Sequence, residues 1–95
     1  MDRTIEKLMS ITRSDFEKSL AALDPSAQLD ATGQARIAAD GLTALLQFEP
    51  MPNRTLGGLL TLPQARVKLQ IEGAEAARMN DFMRRFDIAF QRGGG

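Results

Sequence analysis

The sequence predicts an α+β fold: a four-stranded antiparallel meander sheet with an N-terminal and a C-terminal helix packed on one face. Three observations carry this. Arg66 to Glu72 alternates Val67, Leu69 and Ile71 with Arg66, Lys68, Gln70 and Glu72, the period of a strand with one buried and one wet face. Ser14-Asp15-Phe16-Glu17 has the pattern of a capping box, and Phe16, Leu20 and Leu23 then recur at helical spacing. Met79, Phe82, Met83, Phe86 and Phe90 make one apolar stripe along Ala74 to Arg92.

Each element follows in order. Thr4 to Thr12 is open between two forms: Ile5, Leu8, Met9 and Thr12 suit a helical turn or two, and the segment also suits an edge strand. The first helix runs from about Ser14 to Leu23. Asp24-Pro25 ends it, because the proline ring disfavours α geometry at the residue before it. Ser26 to Gly33 is small and polar, a loop. Asp40-Gly41 has the chemistry of a tight type I′ turn between Gln34–Ala39 and Leu42–Glu49, with Leu42, Ala44, Leu46 and Phe48 on one face. Pro50-Met51-Pro52-Asn53 is expected to stop pairing and make a stiff loop. Leu56 to Leu62 reads as a further strand, interrupted by a bulge at Gly57-Gly58, and Pro63-Gln64 as the turn into Arg66–Glu72. Gly73 breaks that strand before the last helix.

Ninety-five residues suffice for one core, so residues 1–92 form a single domain and 93–95 a flexible glycine tail. No stretch approaches the roughly 20 apolar residues of a membrane helix, so no membrane partner is expected. The chain has no His, Cys, Tyr or Trp. The usual proton-transfer side chain and the common zinc, iron and copper ligands are therefore missing, and no enzyme, cofactor or metal site is expected. A cysteine-free chain fits the cytoplasm. Residues 1–50 carry five Lys/Arg and eight Asp/Glu, a net −3, and residues 51–95 carry seven and four, a net +3. That is either scatter on solvated faces or a bipolar molecule that docks on itself or an acidic partner. It is not the basic, aromatic-studded surface of a nucleic-acid binder.

Four groups of residues are candidates for function. The first is the ending Gly93-Gly94-Gly95. A carboxylate on Gly95, with Gly94 free of the body, would suit a carrier or conjugation substrate whose bare tail threads a narrow enzyme channel. Gly93 as a helix stop is the better account. The second is the loop Glu49 to Arg54, where Met51 between two prolines and the following Arg54 could form a docking tip. The third is Leu45 and Leu59, which fall on the wet face of regular strands, away from the face carrying Leu46, Phe48 and Leu60. Either a bulge turns Leu59 inward, or the two leucines nucleate a dimer or ligand surface. Last come the carboxylates: Asp24, Asp30 and Asp40 lie in or beside loops without the spacing of a calcium site, and are structural.

Leu56-Gly57-Gly58-Leu59-Leu60-Thr61-Leu62-Pro63-Gln64-Ala65-Arg66-Val67 and Arg85-Phe86-Asp87-Ile88-Ala89-Phe90-Gln91-Arg92-Gly93-Gly94-Gly95 together resemble a group of small uncharacterised bacterial proteins. Those share a glycine-containing strand, a Leu-Pro turn and an ending Phe-Asp-x-Ala-Phe-Gln-Arg-Gly-Gly-Gly. The resemblance implies a bacterial source, carries no activity and transfers no functional residue. The leading expectation is a non-enzymatic interaction module that associates with itself or another protein, with Leu45, Met51, Arg54, Leu59, Gly94 and Gly95 as candidate contacts. The alternatives are the carrier acting through Gly95 and a small-ligand binder using the groove beside Met51, Arg54 and Gly57-Gly58.

Overall fold

A computed structural model describes residues 2–39, 41–73 and 75–91. Six elements follow one another: β1 (Arg3–Met9), α1 (Arg13–Leu23), β2 (Gln34–Ala39), β3 (Leu42–Leu56), β4 (Leu60–Glu72) and α2 (Ala76–Gln91). The strands form one antiparallel sheet in the order β1-β4-β3-β2. The α+β class, the four-stranded antiparallel sheet and the helix towards each end are as expected from sequence. The expected meander holds only for β2-β3-β4, since β1 crosses over to pair with β4, and which residues make the four strands differs in three places.

First, the N-terminal segment is a strand. It pairs with β4 through Ile5↔Leu69 and Met9↔Ala65. Ile5 and Met9 pack against the core while Leu8 points out at 66% exposure, so the period is two rather than helical. Second, Pro50 does not end β3. Phe48 donates its N–H to the carbonyl of Gly33 at 2.6 Å, away from β4. Two residues on, the nitrogen of Pro50 lies on that same outer edge. Its missing donor therefore stops the ladder on the β2 side only, and pairing with β4 continues through Pro50↔Ala65 and Met51↔Gln64 to a bulge between Met51 and Arg54. Third, Gly57-Gly58 is a turn, not a strand bulge. Both have positive φ, 61° and 75°, and Leu59 donates back to the Leu56 carbonyl at 3.3 Å. Pro63-Gln64 consequently lies inside β4. Opposed residues in an antiparallel pair both turn their N–H groups in or both turn them out. Val67 opposes Phe48, so its N–H faces β1, and two steps of two residues place the nitrogen of Pro63 on the same side. β1 ends opposite Ala65, and that edge is free. The Asp40-Gly41 link, expected as a tight turn, lies between β2 and β3. Asp40 lies outside the described residues, and Gly41 has φ 78°.

Helix α1 starts two residues earlier than the Ser14 capping box requires, because Thr12 is the cap. Its backbone is extended (φ −86°, ψ 164°), its hydroxyl accepts from the Asp15 N–H at 3.1 Å, and its carbonyl accepts from Phe16 at 2.9 Å. This frame puts buried Ile11 before the cap and buried Phe16 four residues after it, a hydrophobic staple. A cap at Ser14 would place Arg13 and Lys18 there instead. Glu17 pairs with Arg13 at 3.2 Å. Asp24, extended before Pro25, ends the helix as expected.

One sheet face meets both helices. Alternate strand residues, among them Ala35, Ile37, Ala44, Leu46, Phe48, Val67, Leu69 and Ile71, are buried with Phe16 and Leu20 of α1 and Met79, Phe82, Phe86 and Phe90 of α2. Phe16 lies 5.0 Å from both Phe48 and Phe90 between ring centroids, and Phe86 stacks on Phe90 at 4.4 Å, so one aromatic cluster joins α1, β3 and α2. On the edge strand, Lys7 reaches over the Phe86 ring to Asp87 at 3.1 Å and ties β1 to α2.

Candidate functional site: a projecting β-ribbon

The sheet is not of uniform width. β2 pairs with β3 no further than Gln34↔Gln47, and β1 with β4 no nearer the tip than Met9↔Ala65. From Pro50 to Gln64, β3 and β4 pair only with each other. This two-stranded ribbon stretches the molecule to 46 × 24 × 20 Å. The radius of gyration is 13.8 Å, against about 12.4 Å for a compact domain of this length. The accessible surface is 5999 Å², against roughly 5,400 Å² for a compact monomer of this mass.

The ribbon carries little that holds it in water. Arg54 is the single ionisable side chain between residues 50 and 64. Leu56, Leu59 and Leu60 are 39%, 98% and 53% exposed around the turn. At the base, between the ribbon, the start of α1 and the 31–33 loop, lies a cleft of about 310 Å³. Ile11, Phe48, Pro50, Met51 and Pro63 supply its apolar wall, and Thr12, Arg13, Thr32, Gln64 and, at the exposed rim, Asn53 its polar part.

The wall formed by the 30–33 loop is well held. One carboxylate oxygen of Asp30 accepts from the Thr32 hydroxyl at 2.6 Å and from the N–H groups of Thr32 and Gln34, each at 2.9 Å. The Asp30 carbonyl accepts from Arg13 at 2.7 Å. The Thr32 hydroxyl first, then these amides and the Arg13 charge, hold the Asp30 carboxyl below its ordinary value of 3.8. Asp24 likewise accepts from the Ser26 N–H and hydroxyl, at 3.0 and 2.8 Å. Both aspartates shape turns.

The candidate residues separate. Met51 is half-buried in the cleft wall, Arg54 is exposed just beyond the bulge opposite Leu62, and Leu59 forms the turn. These three share one ribbon. Leu45 does not join them: it stands on the open face of the sheet, 42% exposed, between Arg36 and Gln70. Apart from Leu8 and Ala38 the rest of that face is polar, with Arg66 3.1 Å from Glu6 and 3.9 Å from Glu49. Leu59 is neither turned inward by a bulge nor on a strand face with Leu45. The expected groove beside Gly57-Gly58 is also corrected, since those glycines stand at the tip and the cleft at the base. Gly94 and Gly95, like the expected helix stop at Gly93, lie outside the described residues. Sequence reasoning placed Leu60 on the buried face and missed Leu56. Two adjacent glycines between leucine-rich runs are a hairpin signal that would have exposed both.

Among the described residues no three acidic side chains converge on a metal position, and no helix is long and apolar enough to cross a membrane. Comparison of the chain with protein-family models, with curated proteins and with solved structures finds no match.

Proposed function

We propose that this protein is a non-enzymatic protein-interaction module that self-associates through the β3–β4 ribbon. The observation that carries this is the placement of Leu56, Leu59 and Leu60, exposed, on a ribbon outside the body of the domain and accompanied by one charge. Isolated surface leucines are ordinary, but three around one projecting turn leave apolar area that water solvates poorly. The prolines define how it docks. With Pro50 and Pro63 turning donor-less nitrogens to the two free edges, strand addition is blunted and side chains make the contact. The missing catalytic residue types support a binding role, and a cysteine-free chain suits a cytoplasmic setting.

Amide hydrogen exchange across a concentration series, read beside sedimentation, tests this. Exchange across residues 51–64 slows as the protein associates, and Leu59→Asp with Leu60→Asp removes both the protection and the association. A ribbon whose exchange is independent of concentration, or a doubly substituted chain that associates like the wild type, refutes it.

A further inference from the structure

Resting on that reading, we infer that the occupant of the cleft at the ribbon base is the Leu59 tip of a second copy of this chain, so that two molecules exchange ribbons in a closed dimer. The cleft is open, sets an apolar wall beside polar Thr12, Arg13, Thr32 and Gln64, and at about 310 Å³ is near the lower end of the volumes that hold small ligands, roughly 300–1,000 Å³. That suits an inserted side chain. Leu59, almost wholly exposed at the turn, is the side chain of matching chemistry.

A chain cannot fill its own cleft. The Met51↔Gln64 pair at the base and the Leu56↔Leu60 pair at the tip are separated by four to five residues of paired strand, roughly 15 Å. The pairing keeps them apart. A second molecule, related by a two-fold axis crossing the ribbon near its middle, has the same separation running the other way. Each tip then meets the other's cleft, both contacts form together, and no surface is left to propagate.

The chain has no cysteine, so introduced thiols report unambiguously. Asn53→Cys marks the cleft rim and Leu59→Cys the tip, both at exposed positions that leave the core intact. Within one chain the two sites are roughly 10 Å or more apart along the ribbon, beyond the about 7 Å that a disulfide spans. The two single variants are mixed and oxidised, and the products are counted by mass spectrometry. The mixed Asn53→Cys/Leu59→Cys disulfide is expected to exceed either homodisulfide about tenfold. Leu59→Ala, without cysteine, is expected to weaken dimerisation about a hundred- to ten-thousandfold, since each dimer loses two buried leucine side chains at roughly ten- to a hundredfold each. Leu59→Cys homodisulfides in excess, or no disulfide under conditions where hydrogen exchange shows the ribbon covered, overturn the exchange while leaving self-association through the ribbon standing. A monomer at every concentration overturns both.

Discussion

Replacing Gly33 by alanine puts a methyl group against the backbone of β3. Gly33 has φ 84°, and a Cβ built there collides with the carbonyl oxygen of Phe48. Neither atom belongs to a flexible side chain, so no rotamer change relieves the overlap. The left-handed backbone alone disfavours alanine by about 1–2 kcal/mol. Moving the chains apart also weakens the 2.6 Å bond from the Phe48 N–H to the Gly33 carbonyl, worth about 0.5–1.5 kcal/mol net. Together with residual overlap these give a loss of about 2–4 kcal/mol, which in a domain of this size lowers Tm by about 10–25 °C. Gly58→Ala is the matched control. Its φ is 75°, and nothing lies within 4 Å of the added carbon, so strain acts alone and the loss is about 1–2 kcal/mol. Thermal unfolding and urea titration of the two variants check the difference. If Gly33→Ala is no less stable than Gly58→Ala, the close approach of the 30–33 loop to Phe48 is not as described.

Other substitutions separate the reading of individual residues. Thr12→Ala removes the α1 cap and should lower stability by about 1 kcal/mol, whereas Ser14→Ala, the position of the apparent capping box, should be neutral in the same denaturant titration. Ser19 is 3% exposed, and its hydroxyl has no hydrogen-bond partner among the described residues. Ser19→Ala should therefore be neutral or stabilising by up to about 1 kcal/mol, and a clear loss would reveal a bond to its hydroxyl. Asp30 has a lowered folded-state pKa, so its contribution is fully present above the unfolded value, near 3.8, and is lost as pH falls through the lower folded value. Tm measured from pH 6 to pH 2 should thus show wild type more stable than Asp30→Asn at the upper end, with the gap closing below about pH 4. A gap that persists unchanged to pH 2 would remove the charge from the explanation.

Some of this fold could be read directly from neighbouring residues. The alternation from Arg66 to Glu72, the apolar stripe of the last helix and the stop at Asp24-Pro25 are local patterns, and each survives in the structure. So do Leu42, Ala44, Leu46 and Phe48 on one buried face. The prolines and paired glycines were harder to place. Pro50 and Pro63 read as strand stops because proline lacks a donor. What matters is the edge that the missing donor faces, and that depends on which strand lies alongside. The candidate site was legible in part for the same reason. Met51, Arg54 and Leu59 stood out by type, but their grouping on one ribbon, apart from Leu45, follows from the register of β3 against β4.

The sequence by itself determined the fold class and the buried side of both helices, of Leu42–Phe48 and of Arg66–Glu72, because a period of two or 3.6 residues is set by backbone geometry within a few neighbours. It also showed which residue types the chain lacks, His, Cys, Tyr and Trp. Tertiary structure alone decided that Arg3–Met9 becomes a strand, since an edge strand gains its hydrogen bonds only from a partner some sixty residues away. It alone decided that β3 and β4 outrun their neighbours. The lengths of β1 and β2 set where the body of the sheet ends, and only beyond that point do Leu56, Leu59 and Leu60 stand in water with a cleft at their base.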